Sequence, residues 1–289
     1  MAEPVPEKER VLKTCMATVS LGGTLEEKID GIATAGFDGL ELLCTDVLAS
    51  TLTPRDIADR CAALGLKIDL YQPFRRAEGV TPTEFPDVLA RFHRELEVME
   101  ALGATSILVV SNTDGDADSS RDLSATQVAA LGSAAAEHGV TVMFEALAWG
   151  THINRVAHVR DVLARADHPN VLLAVDTFHL VAGGEGAEAV ADLEPGSVGL
   201  LQVADAPWMP LDLLTWSRNY RCFPGAGEFD LVTPVASVLN SGYTGPVSLE
   251  IFNPGYRERS AADVARHGAE SLRRLLADVD TLATSTLPA

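Results

Sequence analysis

Short apolar runs and longer amphipathic patterns alternate along the whole chain, and a strand-then-helix rhythm of this kind leaves few folds open. The apolar runs fall at 13–20, 39–44, 66–71, 106–110, 140–145, 171–176, 198–203 and 247–251. Helical patterns follow them at 24–36, 53–64, 86–102, 124–138, 156–166, 186–192, 229–240 and 261–279. The sixth helix is the weakest, and a long loop at 204–228 precedes the seventh. Thr24 with Glu27 three residues on reads as a capping box, and Gly65, Gly103 and Gly139 stand where helices stop. Eight such units predict an α/β fold, a single (β/α)8 TIM barrel. The alternative, an open doubly wound sheet, needs a topological switch point, and no glycine fingerprint follows the first strand. The expected layout is an N-terminal arm at 1–12, the barrel at 13–280 and a tail at 281–289.

Charge narrows the function. Lys and Arg total 22 against 41 Asp and Glu, a formal charge of −19. A chain so acidic repels phosphate backbones, so no nucleic-acid partner is expected. No apolar run is long enough to span a membrane. The first ten residues are charged, contain Pro4 and Pro6, and lack the apolar stretch of a signal peptide, so a cytoplasmic location is expected. Cys15, Cys44, Cys61 and Cys222 show no CxxC spacing and read as free thiols.

In a barrel of this kind the C-terminal ends of the strands face the active site. The fifth strand ends in Glu145 and the sixth in Asp176; the seventh contains Gln202 and the eighth ends in Glu250. Isolated charge at such positions costs several kcal/mol, so it needs a compensating partner. The strand ends supply almost no basic residues beside these acids. One divalent cation, Mg²⁺, Mn²⁺ or Co²⁺, satisfies all four oxygen donors at once. Arg75 and Arg76 follow the third strand, and Arg218 and Arg221 lie in the long loop beside Trp216 and Ser217. Arginines on the rim suit capture of a carboxylate.

Among the histidines, His93, His138, His158, His168 and His267 fall on helices or at their ends and read as surface or capping residues. His152, in the loop after the fifth strand, reads either as a substrate contact or as a loop closure. His179 follows Asp176 at one strand end and is the candidate proton acceptor.

The segments 144–150 (FEALAWG), 175–179 (VDTFH), 201–207 (LQVADAP), 216–218 (WSR), 221–225 (RCFPG) and 248–253 (SLEIFN) resemble the sugar phosphate isomerase/epimerase superfamily of xylose isomerase-like barrels. Within it the likeness is to the bacterial 3-dehydroshikimate dehydratases, over about residues 13 to 280. The resemblance implies one divalent metal on Glu145, Asp176, Gln202 and Glu250, with substrate contacts from Arg75, His179, Ser217 and Arg221. Some members carry a further C-terminal dioxygenase-like domain, for which 289 residues are expected to leave no room. Arg76 stands where the family has an acidic residue and Ala226 where it has glutamine.

The reaction so implied is a lyase step, loss of water from 3-dehydroshikimate to give protocatechuate, in quinate/shikimate catabolism or a related aromatic pathway. The substrate is a carboxylated cyclic polyol ketone. Its α-proton is roughly 12 pKa units less acidic than an imidazolium, about 16 kcal/mol. A base alone does not cover that gap, so a Lewis acid on the ketone oxygen is expected to work with it. His179 is the expected base, with His152 or a metal-bound carboxylate as the fallback. The rival reading is a sugar or keto-sugar isomerase or epimerase using Glu145 and Glu250 as its acid/base pair. A metal-dependent endonuclease and a silent sugar-acid binding protein are the other classes weighed. Self-association into a homo-oligomer is left open.

Overall fold

A computed structural model describes residues 12–285. Eight parallel strands form the wall: β1 (Thr14–Ala17), β2 (Gly39–Leu43), β3 (Lys67–Phe74), β4 (Ser106–Val110), β5 (Thr141–Glu145), β6 (Val171–Asp176), β7 (Val198–Val203) and β8 (Val247–Leu249). They pair in chain order, and β1 closes onto β8 with Thr14 opposite Val247. That closure excludes the open-sheet alternative. Among the described residues no helix is long and apolar enough to cross a membrane.

Strand side chains alternate between the two faces of the wall, so the interior reads out in steps of two. Leu70, Leu108, Val110, Met143, Ala174 and Leu200 form an apolar plug inside the barrel. Each such side chain is worth roughly 1.5–3 kcal/mol when fully buried, less for alanine. Two residues beyond Leu70, Met143, Ala174 and Leu200 stand Gln72, Glu145, Asp176 and Gln202. The same alternation that fills the barrel therefore lifts a ring of polar groups to its C-terminal end. The outward faces pack against the helices in one continuous apolar layer, with Ile107, Val109, Val142 and Leu201 fully buried.

The helix signals act where the sequence put them. Thr24 and Glu27 form a reciprocal capping box at the start of helix Leu25–Thr34. Gly103 takes the left-handed conformation, φ 67°, that ends helix Phe85–Leu102.

Several stretches differ from the reading above. β3 continues three residues past 71, to Phe74, and so brings Gln72 into the barrel. In place of one weak helix at 186–192 there is helix Thr177–Ala182 directly after β6, then a single 3-10 turn at Ala187–Val190. The loop after β7 contains helix Leu213–Asn219, capped by Asp212. The last helix runs to Ser285, past the expected end at 279; the expected arm and tail otherwise lie outside the described residues.

Candidate active site

The register of the wall sets the site. Asp176 pairs with Gln202, and Gln202 with Ser248, two residues before Glu250. Val110 pairs with Glu145. Glu145, Asp176, Gln202 and Glu250 are all buried. Oxygen atoms of Glu145 and Asp176 and a ring nitrogen of His179 lie within 4.8 Å of one another, close enough to hold a metal ion.

Arg221 corrects the expectation that almost no basic residue stands beside these acids. Its Nη1 donates to Asp176 Oδ2 at 2.6 Å and to Glu250 Oε2 at 3.1 Å. Its Nε and Nη2 donate to Ser217 Oγ at 3.2 and 3.0 Å, so Ser217 serves the arginine here. The guanidinium is buried and lies 4.5 Å from the centre of the Phe178 ring. The loop carrying Arg221 is anchored by Asp205, which accepts hydrogen bonds from the backbone N–H groups of Gly225, Gly227 and Phe229 at 2.9, 2.9 and 3.0 Å. Gly227 is required there: a Cβ would meet Asp205 Oδ1 at 2.3 Å and the Ala206 backbone at 2.6 Å.

Glu41 and Gln72 are site residues the sequence reading missed. The side-chain amides of Gln72 and Gln202 both donate to Glu41 Oε2, at 2.5 and 2.7 Å. Glu41 interrupts the apolar run of β2 as Glu145 interrupts that of β5, so the signal existed. Glu41 lies inside its apolar run rather than at the run's C-terminal end. Gln72 was hidden by the early end assigned to its strand.

The cluster thus holds four buried carboxyl groups, Glu41, Glu145, Asp176 and Glu250, against the Arg221 guanidinium. Burial pushes Glu145 well above the ordinary carboxylate range, and repulsion from Asp176 and Glu250 adds to it. Burial, then Glu250, pushes Glu41 up to about 8. Burial also raises Glu250, though Arg221 opposes it. For Asp176 burial again opposes the charge, but Arg221 and His179 outweigh it and hold the carboxyl below its usual value.

Glu41 Oε1, Glu145 Oε1 and Gln202 Oε1 are buried without a hydrogen-bond partner. Each unpaired buried acceptor costs about 1–3 kcal/mol. A hard divalent cation takes such oxygens as ligands and offsets the surplus negative charge. The donor set fits one.

Asp176 caps the helix that carries His179, accepting from Phe178 N and His179 N at 2.6 and 3.3 Å. His179 Nδ1 faces the Ala148 N–H at 3.1 Å, and Nε2 faces Arg221 Nη2 at 3.1 Å. A neutral imidazole accepts at one nitrogen. Two donors face the ring, the Ala148 N–H onto Nδ1 and Arg221 Nη2 against Nε2. Burial first, then Arg221, Arg218 and Arg75 after it, lowers the imidazole to about 3 despite the opposing pull of Asp176. The ring is therefore neutral at physiological pH.

Arg75 is exposed on the rim, and Arg218 is half-buried between the Trp149 and Phe252 rings, 5.7 and 4.3 Å from their centres. Arg75, Glu145, Trp149, His179, Arg221 and Glu250 line a cavity of about 30 Å³, room for a water molecule or two. His152 does not line it. Its Nε2 lies 3.1 Å from Glu78 Oε2 and 3.0 Å from Ser124 Oγ, in a buried knot that closes the loop after β5. Arg76 is exposed, at φ 52°, and pairs with Asp114.

Residues 29–275 match the model of the xylose isomerase-like TIM barrel family. A 3-dehydroshikimate dehydratase of Pseudomonas putida is 41% identical over 92% of this chain, and this chain spans 41% of that protein. A 3-dehydroshikimate dehydratase of Neurospora crassa is 24% identical, with 95% of each chain covered. The solved structure of a xylose isomerase-like TIM barrel/4-hydroxyphenylpyruvate dioxygenase fusion protein superposes with a TM-score of 0.93 at 39% identity, over 96% of this chain and 45% of the fusion. This chain thus spans less than half the length of the Pseudomonas relative and of the fusion protein.

Proposed function

The chain belongs to the xylose isomerase-like TIM barrel family, and from that premise we propose that it is a hydro-lyase that converts 3-dehydroshikimate to protocatechuate and water. The observation that carries the reading is the meeting of Glu145, Asp176 and His179 within 4.8 Å, beside unpaired buried oxygens of Glu145 and Gln202. The 41% identity to the Pseudomonas dehydratase supports the choice of substrate.

Glu145, Asp176, Gln202 and Glu250 would hold the divalent ion, with Mg²⁺, Mn²⁺ and Co²⁺ the candidates. When bound, it supplies Lewis-acid polarisation of the substrate's ketone oxygen. The remaining work falls to the side chains. His179, neutral and buried beside Asp176, takes the proton from the ring carbon next to the ketone. The C–O bond on the following carbon breaks, and its hydroxyl leaves with that proton as water. The ketone then tautomerises to a phenol, which makes the ring aromatic. Arg75 and Arg221 hold the substrate carboxylate and hydroxyls, and Ser217 fixes the guanidinium that does so. With about 30 Å³ inside the cavity, a six-membered ring enters only as side chains lining it move aside.

An isomerase acting through Glu145 and Glu250 is the second reading, favoured by the raised, unpaired Glu145 carboxyl. The two separate on product chemistry. Incubation with 3-dehydroshikimate followed by proton NMR shows aromatic signals for a dehydratase and only new alicyclic ones for an isomerase.

A further inference from the structure

Beside the catalytic cavity lies a second, larger one of about 680 Å³, which shares Arg75, Arg218, Pro73 and Phe252 with it. It adds two arginines of its own, Arg91 and Arg257. We propose that this groove is a separate binding station for a cyclic or aromatic carboxylate, held by Arg91 and Arg257 and connected to the catalytic cavity through Arg218. The proposal deepens the dehydratase reading: the anion bound is of the substrate and product class.

None of these four guanidinium groups forms an ion pair among the described residues, whereas Arg76, Arg160, Arg165 and Arg266 all do. Arg91 instead donates to the carbonyls of Arg75 and Arg76, and Arg257 to that of Val19. The acid lining the groove, Glu95, accepts the Tyr71 hydroxyl at 2.8 Å. Asp46, which faces Arg257 from beyond the groove, is held by Lys28 at 2.8 Å. On a chain of net charge −19, four unpaired cations in one groove form a local positive field that draws in small anions.

The groove also offers a ring face. Arg218 lies 4.3 Å and Arg257 5.7 Å from the centre of the Phe252 ring, and Arg91 4.8 Å from that of Phe74. Guanidinium planes beside aromatic rings suit a planar acid, which stacks while its carboxylate takes the N–H groups. Burial, then Arg75, lowers Arg218 to about 10, with Glu250 and Glu145 on the catalytic side opposing the shift. The volumes point the same way. About 680 Å³ admits a six-membered ring as it stands, and about 30 Å³ does not. An incoming acid therefore meets the groove first.

Calorimetric titration of the metal-loaded chain with benzoate tests this. Two binding events are expected in the unaltered chain. In Arg91→Gln and in Arg257→Gln one of them weakens at least tenfold, while turnover at saturating substrate stays within twofold. Arg91 holds the carbonyls of Arg75 and Arg76 and Arg257 that of Val19, two different loops, so a loss shared by both variants reads binding rather than one disturbed loop. A single event in the unaltered chain, or two events that both substitutions leave unchanged, overturns the proposal. Benzoate is not turned over, so this result stands apart from whether the chain dehydrates 3-dehydroshikimate.

Discussion

Arg221 Nη1 lies 2.6 Å from Asp176 Oδ2, and this contact keeps one carboxylate ionised at the centre of a cluster in which Glu41, Glu145 and Glu250 are all pushed toward their protonated forms. The pair is wholly buried. Its desolvation is offset by the hydrogen bonds that Ser217 and Glu250 add around the guanidinium.

Removing the arginine leaves buried carboxylates uncompensated, at a cost of about 3–5 kcal/mol. Arg221→Ala is expected to lower the melting temperature of the metal-free chain by roughly 10 °C, at about 2–4 °C per kcal/mol for a chain of this size. Added Mn²⁺ is expected to restore part of that loss, because it binds the same carboxylates. Differential scanning fluorimetry with and without Mn²⁺ checks both parts. A loss that the metal leaves untouched separates Arg221 from the acid cluster.

Glu145→Gln keeps the shape of the side chain and removes its charge. Cation affinity and turnover are expected to fall together, turnover by about 4 kcal/mol or roughly 10³-fold. Metal analysis after dialysis, set beside steady-state rates, reads both in one preparation. Full metal content with full activity places the ion elsewhere.

Glu41 gives a pH signature in the metal-free chain. Its folded value is raised, from the ordinary 4.5 to about 8. Between those values the folded state holds a proton that the unfolded state has released, so stability falls as pH rises. His179 moves the other way, its folded value lowered from 6.5 to about 3. There the unfolded state binds the extra proton, and stability falls as pH drops below 6.5. From pH 6.5 to 8 the Glu41 effect stands clear of the His179 effect. Stability should decline there by up to about 1.4 kcal/mol per pH unit for that proton. Glu41→Gln is expected to remove that share of the slope, as urea unfolding at several pH values will read.

Asp205 holds the loop that delivers Ser217 and Arg221. Asp205→Ala frees several backbone N–H groups and is expected to cost about 2–4 kcal/mol in stability. KM for the acid substrate is expected to rise more than kcat falls, because the loop positions a binding arginine. An unchanged KM in a folded variant removes the loop from substrate binding.

The barrel was legible because its signal is periodic and repeated. All eight strands sit within a few residues of the apolar runs that announce them, and Thr24 and Gly103 cap the helices whose ends they mark. The departures have local causes. Helix Thr177–Ala182 starts on Asp176, a residue that read as the end of a strand and also serves as the helix cap. Helix Leu213–Asn219 has seven residues, too few to show a periodic pattern. Strand ends lead to the expectation that Glu145, Asp176, Gln202 and Glu250 meet, and the structure brings Glu145 and Asp176 within 4.8 Å of each other and of His179. The reach of Arg221 into that group depends on how Asp205 and Asn253 fold a long loop, and no local pattern encodes it. His152 illustrates the same limit: its partners Glu78 and Ser124 are 74 and 28 residues away in kind, joined to it only by the closed barrel.

The most direct test is the ultraviolet absorbance of protocatechuate formed from 3-dehydroshikimate by the chain stripped of metal and then reloaded with Mg²⁺, Mn²⁺ or Co²⁺. The account predicts little product from the stripped chain and full recovery on reloading, with Glu250→Gln inactive in both states. Equal rates with and without metal, or no aromatic product under any loading, would contradict it.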